Sequence, residues 1–231
     1  MTDDDLDAFR AAWVTLPSGQ TGLRYIEALV ADGALDEARI VCAEVWALGY
    51  PIGLTEAAWV HSELGDMRSA IASMTAAIDV LDGDERLAAV GTVGCWRWHH
   101  FAEVEAESQL REGMHHYDSA WADLGNLLRS KGRVEEGTRV LREGADDGVL
   151  MCMLPYANIL SHAGDLAGAE AIYRRAYELG DAHSAWNLSV DLLAAGRDEE
   201  ASEWRWKAAA GGDEVAIASL ADIDSVLPTD E

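Results

Sequence analysis

The sequence predicts an all-α chain, an α-solenoid of about six stacked antiparallel helical hairpins that recur about every 32 residues. Three observations carry this expectation. Ala supplies 39 of the 231 residues while β-branched side chains are sparse, so helix is favoured over sheet. Two columns of Gly recur in phase along the chain. Between them, apolar and small residues recur at helical spacing.

The first Gly column runs through ADGALDEA (31–38), ELGDMRSA (63–70), SKGRVEEG (130–137), HAGDLAGA (162–169) and AAGRDEEA (194–201). The intervals Gly33 to Gly65, Gly132 to Gly164 and Gly164 to Gly196 are equal, each one full period. Gly65 to Gly132 has room for two units and three more residues. The second column is Gly49, Gly148, Gly180 and Gly212. Two Gly per unit, half a period apart, suggest two helices of about three turns, each ended by a residue free to adopt positive φ. The acids that follow the first Gly (Asp36, Asp66, Glu135, Asp165, Asp198) suit the positive N-terminus of the second helix.

Each element follows in order. Residues 1–18, with DDDLDAFRAAWV, are expected to form an N-terminal capping helix, and residues 19–213 the repeat array. Residues 83–117 have the length of a unit but no Gly turn where one is due; CWRWHHFAEVEAESQL stands there, a degenerate unit expected to be a longer or kinked helix pair. Residues 214–231 form a C-terminal capping helix and tail. In the first helix of each unit, Tyr25, Leu124, Tyr156 and Leu188 share a column, with Leu29, Leu128, Leu160 and Leu192 four residues on, an amphipathic stripe. In the second helix, Ala38, Ala70, Gly137, Ala169 and Ala201 share a column, with Val45, Ala77, Gly144, Ala176 and Ala208 seven residues on. Small residues at that spacing let two backbones approach closely.

These residues resemble tetratricopeptide repeats. AEAIYRRAYELGDAHSAWNL and ASEWRWKAAAGGDEVAIASL resemble the Sel-one-like branch in particular, with aromatic, basic, Ala-Ala, Gly-Asp and Ala in that order. The resemblance implies a right-handed superhelix whose concave face is lined by the first helix of each hairpin. It also implies that groove Asn residues hold a bound peptide's backbone and that basic neighbours hold a terminal carboxylate. Residues just off the packing stripe then face the groove: Glu27, Trp59, Asn126, Asn158 and Val190 in one column, and Val30, Ser62, Arg129, Ser161 and Leu193 in another. The candidate groove residues are Trp59, Asn126, Arg129, Asn158, His183, Trp186 and Asn187. An Asn offers both donor and acceptor, so it grips an amide without reading sequence. Ala122 stands where the family's carboxylate clamp has a Lys, which argues against recognition of a terminal carboxylate.

Composition bounds the rest. A hydrophobic share of 49% opposes disorder, and no stretch approaches 18 uninterrupted apolar residues, so no membrane partner is expected. The balance of 42 acidic against 17 basic residues, a formal charge of −25, excludes an ordinary nucleic-acid reader and favours a basic partner. The acidic start MTDDDLDAF is unlike a secretory signal, and Cys42, Cys95 and Cys152 suit free buried thiols, so a cytoplasmic location is expected. Abundant Ala and Arg match the coding bias of a GC-rich bacterium.

Phosphate-loop, GxSxG, HExxH and CxxC motifs are all missing. His99/His100 and His115/His116, with Cys95 nearby, form the one cluster to weigh, but on a continuous helix the two pairs would stand about 24 Å apart. No metal, cofactor or catalytic residue is therefore expected. Trp13, Trp46, Trp121 and Trp204 are expected to pack, and Trp96 and Trp98 to point to different faces. The expectation is a non-enzymatic adaptor or regulator that binds a peptide segment or a partner protein in the groove. The alternatives are an acidic decoy occupying a basic nucleic-acid-binding surface and, behind it, an enzyme built on the 95–116 segment.

Overall fold

A computed structural model describes residues 3–226. Among the described residues there are fourteen α-helices, one 3-10 turn and no strand. Helix α1 (Asp3–Thr15) precedes six successive helix pairs. These are α2 (Gly19–Ala31) with α3 (Leu35–Ala47), α4 (Ile52–Glu63) with α5 (Met67–Ile78), and α6 (Gly83–Phe101) with α7 (Glu107–Gly113). The later pairs are α8 (Asp118–Ser130) with α9 (Val134–Asp146), α10 (Leu150–His162) with α11 (Leu166–Glu178), and α12 (Ala182–Ala194) with α13 (Asp198–Ala210); α14 (Glu214–Val226) follows. Residues 1–2 of the expected leading segment and residues 227–231 of the expected tail lie outside the described residues.

The chain divides into two compact units, Met1–Asp123 and Leu124–Glu231. The first has cores around Ile26, Leu29, Cys42 and Val45, and around Ala58, Met74, Val93 and Trp96. The core of the second gathers Ala157, Tyr173, Leu188 and Trp204.

All nine glycines of the two columns take positive φ, between 73° at Gly196 and 102° at Gly180. At Gly33 the left-handed residue lets Ala34 N–H donate to Leu29 O at 2.8 Å, closing the helix on its own last turn. The acids after the first column divide into two groups. Asp66 and Asp165 are N-caps that accept from Ser69 N and Gly168 N, while Asp36, Glu135 and Asp198 lie in the first turn.

Both small-residue columns of the second helices are buried in all five units that carry them. A close approach of this kind lies in the second unit. A methyl built on Gly125 would stand 2.5 Å from Leu141 Cγ, and one on Gly137 would stand 2.5 Å from Gly125 O. The first-helix columns need correction in one hairpin. Tyr156 and Leu160 are half-buried, and Ala157 between them is fully buried. The apolar stripe of a core-facing helix spans more than one column, so the small residues Gly125, Ala157 and Ser189 are buried although they carry little apolar signal. Trp46 is a second correction: it is 40% exposed, one residue past the buried Val45 and so about 100° around the helix from it.

The degenerate unit is a long helix followed by a short one. In α6, residues Ala89 to Trp96 are buried without a break, because the helix packs against both α5 and α7 and has no polar face there. Trp96 is buried and Trp98 half-buried. The missing Gly turn is supplied by Ala102 at φ 51°, the one non-glycine residue with positive φ among those described. An L-residue there costs about 1–2 kcal/mol. Ala102→Gly is therefore expected to stabilise the chain by about 0.5–1 kcal/mol after the added unfolded-chain entropy. A urea midpoint that stays put or falls at constant slope would refute this.

Candidate functional site

In the second unit, Asn126 and Arg129 on α8 and Pro155, Asn158, Ile159 and His162 on α10 line a groove of about 320 Å³. Asn126 and Asn158 are equivalent positions of successive units, which is why both face it. Asn158 is fixed in orientation. Its Oδ1 accepts from Tyr173 Oη at 2.6 Å and from Asn187 Nδ2 at 3.2 Å. This network leaves the Asn158 amide with donors to offer and its acceptor engaged. Arg129 donates from Nη1 to Thr138 Oγ1 at 2.8 Å, tethering its head at the groove. His162 Nδ1 lies 2.6 Å from Asn158 O.

The other sequence candidates lie elsewhere. His183 Nδ1 lies 2.7 Å from Oδ2 of the buried Asp213, whose Oδ1 caps α14 by accepting from Ala216 N at 2.7 Å. Trp186 packs partly against the core with the Arg205 guanidinium 5.9 Å from its ring centroid. Thus Asn126, Arg129 and Asn158 share one groove, with Asn187 joined to it through Asn158. His183 and Trp186 do not line it. Ala122 is buried.

Trp59 belongs to the first unit and to a larger feature that the sequence did not indicate. A cleft of about 710 Å³ opens between α4, the end of α5 and α6. Trp59 stands at its wall, 41% exposed, edge-on to Trp96 with ring centroids 5.0 Å apart. Its carboxylates are Glu56, Asp82 and Glu85, and no Lys, Arg or His lines it among the described residues. A sequence signal existed in Tyr50, Trp59 and Tyr117 beside those acids, but the three aromatics are far apart in the chain.

Burial first, and then the charge of Glu27, hold the Glu56 carboxyl above its ordinary range. A carboxyl raised in the folded state opposes folding once ionised. That penalty is absent below the unfolded value of about 4.3, grows as pH rises and is complete above the folded value. Glu56→Gln is therefore expected to raise the thermal midpoint at neutral pH and leave it unchanged near about pH 4. A lower midpoint at neutral pH would mean that the carboxylate holds the fold together.

The four histidines of the degenerate unit do not converge. His99 Nε2 lies 2.9 Å from Asp123 Oδ1, and His116 Nδ1 lies 3.5 Å from Asp84 Oδ1. His115 stacks edge-on to Trp121, and His100 lies beside Phe101. Among the described residues no three His, Cys, Asp or Glu side chains are grouped to hold a metal ion. Cys95 lies near Asp123, but burial first and that carboxylate second push its thiol well above the ordinary range. A nucleophilic Cys needs the opposite, a neighbouring cation that favours thiolate. Cys42 is likewise pushed up to about 12, by burial and then by Glu56. No described helix is long and apolar enough to cross a membrane.

The fold matches solved helical-repeat structures. One is a Sel1 repeat protein from Oxalobacter formigenes, with a TM-score of 0.64 and 19% identity over 87% of this chain and 89% of that one. A tetratricopeptide repeat protein from Parabacteroides merdae gives 0.61 and 17% identity over 92% and 88%. The type IV pilus biogenesis factor PilW gives 0.63 and 13% identity over 87% and 97%. No protein-family model matches the chain, and no curated protein does. The architecture is that of the helical-hairpin repeat proteins. Within that class the fold is the one shared by the Sel1 repeat and tetratricopeptide repeat structures.

Proposed function

We propose that the chain is a non-enzymatic adaptor or regulator that binds a peptide segment or partner protein in the groove of its second unit. The observation that carries this reading is the set of Asn126, Arg129 and Asn158 along one groove, with Asn158 oriented by Tyr173 and Asn187. With its acceptor engaged, Asn158 donates to a peptide carbonyl. Asn126, exposed on the preceding unit, supplies both donor and acceptor. Together they take successive backbone groups of an extended segment, which gives affinity with little dependence on side chains. The Cys95 thiol, held well above its ordinary range by burial, and the scattered histidines support the non-enzymatic part of the reading. Cys42, Cys95 and Cys152 are buried and none is joined in a disulfide, which fits a reducing cytoplasm.

The test is co-purification from cells of the source organism with the full chain and two variants. Asn126→Ala, an exposed change, is expected to reduce recovery of the bound protein without moving the thermal midpoint. Asn126→Ala with Asn158→Ala is expected to abolish it. Equal recovery by the double variant would exclude the groove as the binding surface.

A further inference from the structure

We propose that the cleft of the first unit is a second docking site, and that its occupant is a partner segment carrying Arg or Lys beside an apolar residue. The inference rests on reading the chain as a peptide binder, but it uses a separate site with separate chemistry. The cleft, about 710 Å³, is walled by Tyr50, Trp59 and Tyr117 and edged by Glu56, Asp82 and Glu85. A cavity of that size is within the range of ligand-binding clefts and has room for side chains of a partner segment. Its aromatic walls and its charge select which ones.

The three carboxylates are unengaged. Among the described residues Glu56, Asp82 and Glu85 make no ion pair. Asp82 stands at the N-cap of α6 with extended backbone, yet its side chain makes no capping hydrogen bond. Elsewhere, acids at a helix N-cap are used as caps: Asp181 at the first helix α12, and Asp66 and Asp165 at the second helices α5 and α11. Other acids of the chain also find cations: Glu112 with Arg86, Glu107 with Arg111, and Glu170 with both Arg174 and Arg197. The cleft thus collects carboxylates and has no cation of its own.

The walls complete the match. An ammonium or guanidinium group is attracted to the face of Trp or Tyr as well as to a carboxylate, and the attraction grows as water is displaced. The same chain pairs cations with aromatic rings where both are its own, as Arg174 and Lys207 do over Trp204. The exposed apolar side chains of Tyr50, Trp59 and Val80 around the cleft suit the apolar neighbour of the inserted cation. The net charge of −25 draws such a segment toward the surface before contact. Burial holds the Glu56 carboxyl above its ordinary range, and a cation arriving beside it would offset that effect.

The test titrates the full chain with acetyl-Ala-Leu-Arg-Ala-Leu-Arg amide and follows Trp emission and heat. The expected result is saturable binding that weakens about tenfold or more when citrulline replaces both arginines. Glu56→Gln with Glu85→Gln is expected to cause a similar loss, as is Trp59→Ala. Asn126→Ala with Asn158→Ala is expected to bind the peptide as the parent chain does, so the two sites fail or succeed separately. Absence of saturable binding up to about 1 mM, the weak limit for a specific contact, would overturn the proposal. So would equal affinity for the citrulline peptide. Methylguanidinium binding as tightly as the peptide would also overturn it, in favour of a small-cation site.

Discussion

Gly137→Ala is expected to destabilise the second unit by about 1–3 kcal/mol, although Ala favours helix over Gly by about 1 kcal/mol. The added methyl would stand 2.5 Å from Gly125 O, 2.7 Å from Arg129 Cγ and 3.0 Å from Arg129 N. Two of those atoms are backbone, so no rotamer change relieves the contact, and α8 and α9 must move apart. Separation would loosen Leu141, which is fully buried and fills the space above Gly125. It would also displace Arg129 and so weaken the groove. Urea unfolding measures the effect, with Gly148→Asn, at a helix end where positive φ is tolerated, as a mild comparison. Unchanged or increased stability of Gly137→Ala would mean that the two helices do not cross this closely.

Trp204→Ala is expected to cost about 3–5 kcal/mol, the range for removing a buried aromatic. Trp204 is 6% exposed within the core of the second unit. Tyr177 meets it edge-on at 5.4 Å, the Arg174 guanidinium lies 4.8 Å from its ring centroid and Lys207 Nζ lies 4.1 Å from it. Its removal opens a cavity between α11 and α13 and leaves two cations without their aromatic surface. Trp204→Phe keeps most of the volume and is expected to lose far less. Hydrogen exchange should show α11 to α14 opening first in Trp204→Ala. Uniform loss of protection across both units would instead mean that the chain unfolds in one step.

How much of this was legible in the sequence depends on the residue type. The turns were legible, because positive φ is a requirement that Gly meets at little cost and that leaves a periodic mark. The small-residue columns of the second helices were legible for a similar reason. Ala102 was not, since a turn made by a residue that ordinarily avoids the left-handed region leaves no mark. Gly125, Ala157 and Ser189 were overlooked because small residues between two columns of Leu and Tyr carry little apolar signal, yet they are buried too.

The candidate site divides in the same way. Asn126 and Asn158 stand one period apart on first helices, so the repeat itself places both at one groove. His183 and Trp186 sit near the start of α12, where the next element intervenes: Asp213 engages the histidine and Arg205 lies over the tryptophan. The cleft of the first unit joins α4, the end of α5, α6 and Tyr117. Its acids look, in the sequence, like ordinary helix-start residues. Only their failure to cap or pair distinguishes them.

The regularity of the second unit also limits what lengths the chain can have. Every helix from α8 to α14 has the same length, and the turns repeat at Gly132, Gly164 and Gly196. Excising residues 165–196 would therefore set Ala201 in the place of Ala169 and Ala208 in the place of Ala176, with every buried column still in phase. Removing a single residue from within a helix would instead rotate all that follows in that helix by about 100° and turn its small face to solvent. Size changes in this unit are quantised. The chain grows or shrinks by whole hairpins, and evolution or design can add a groove position only together with the complete hairpin that supports it.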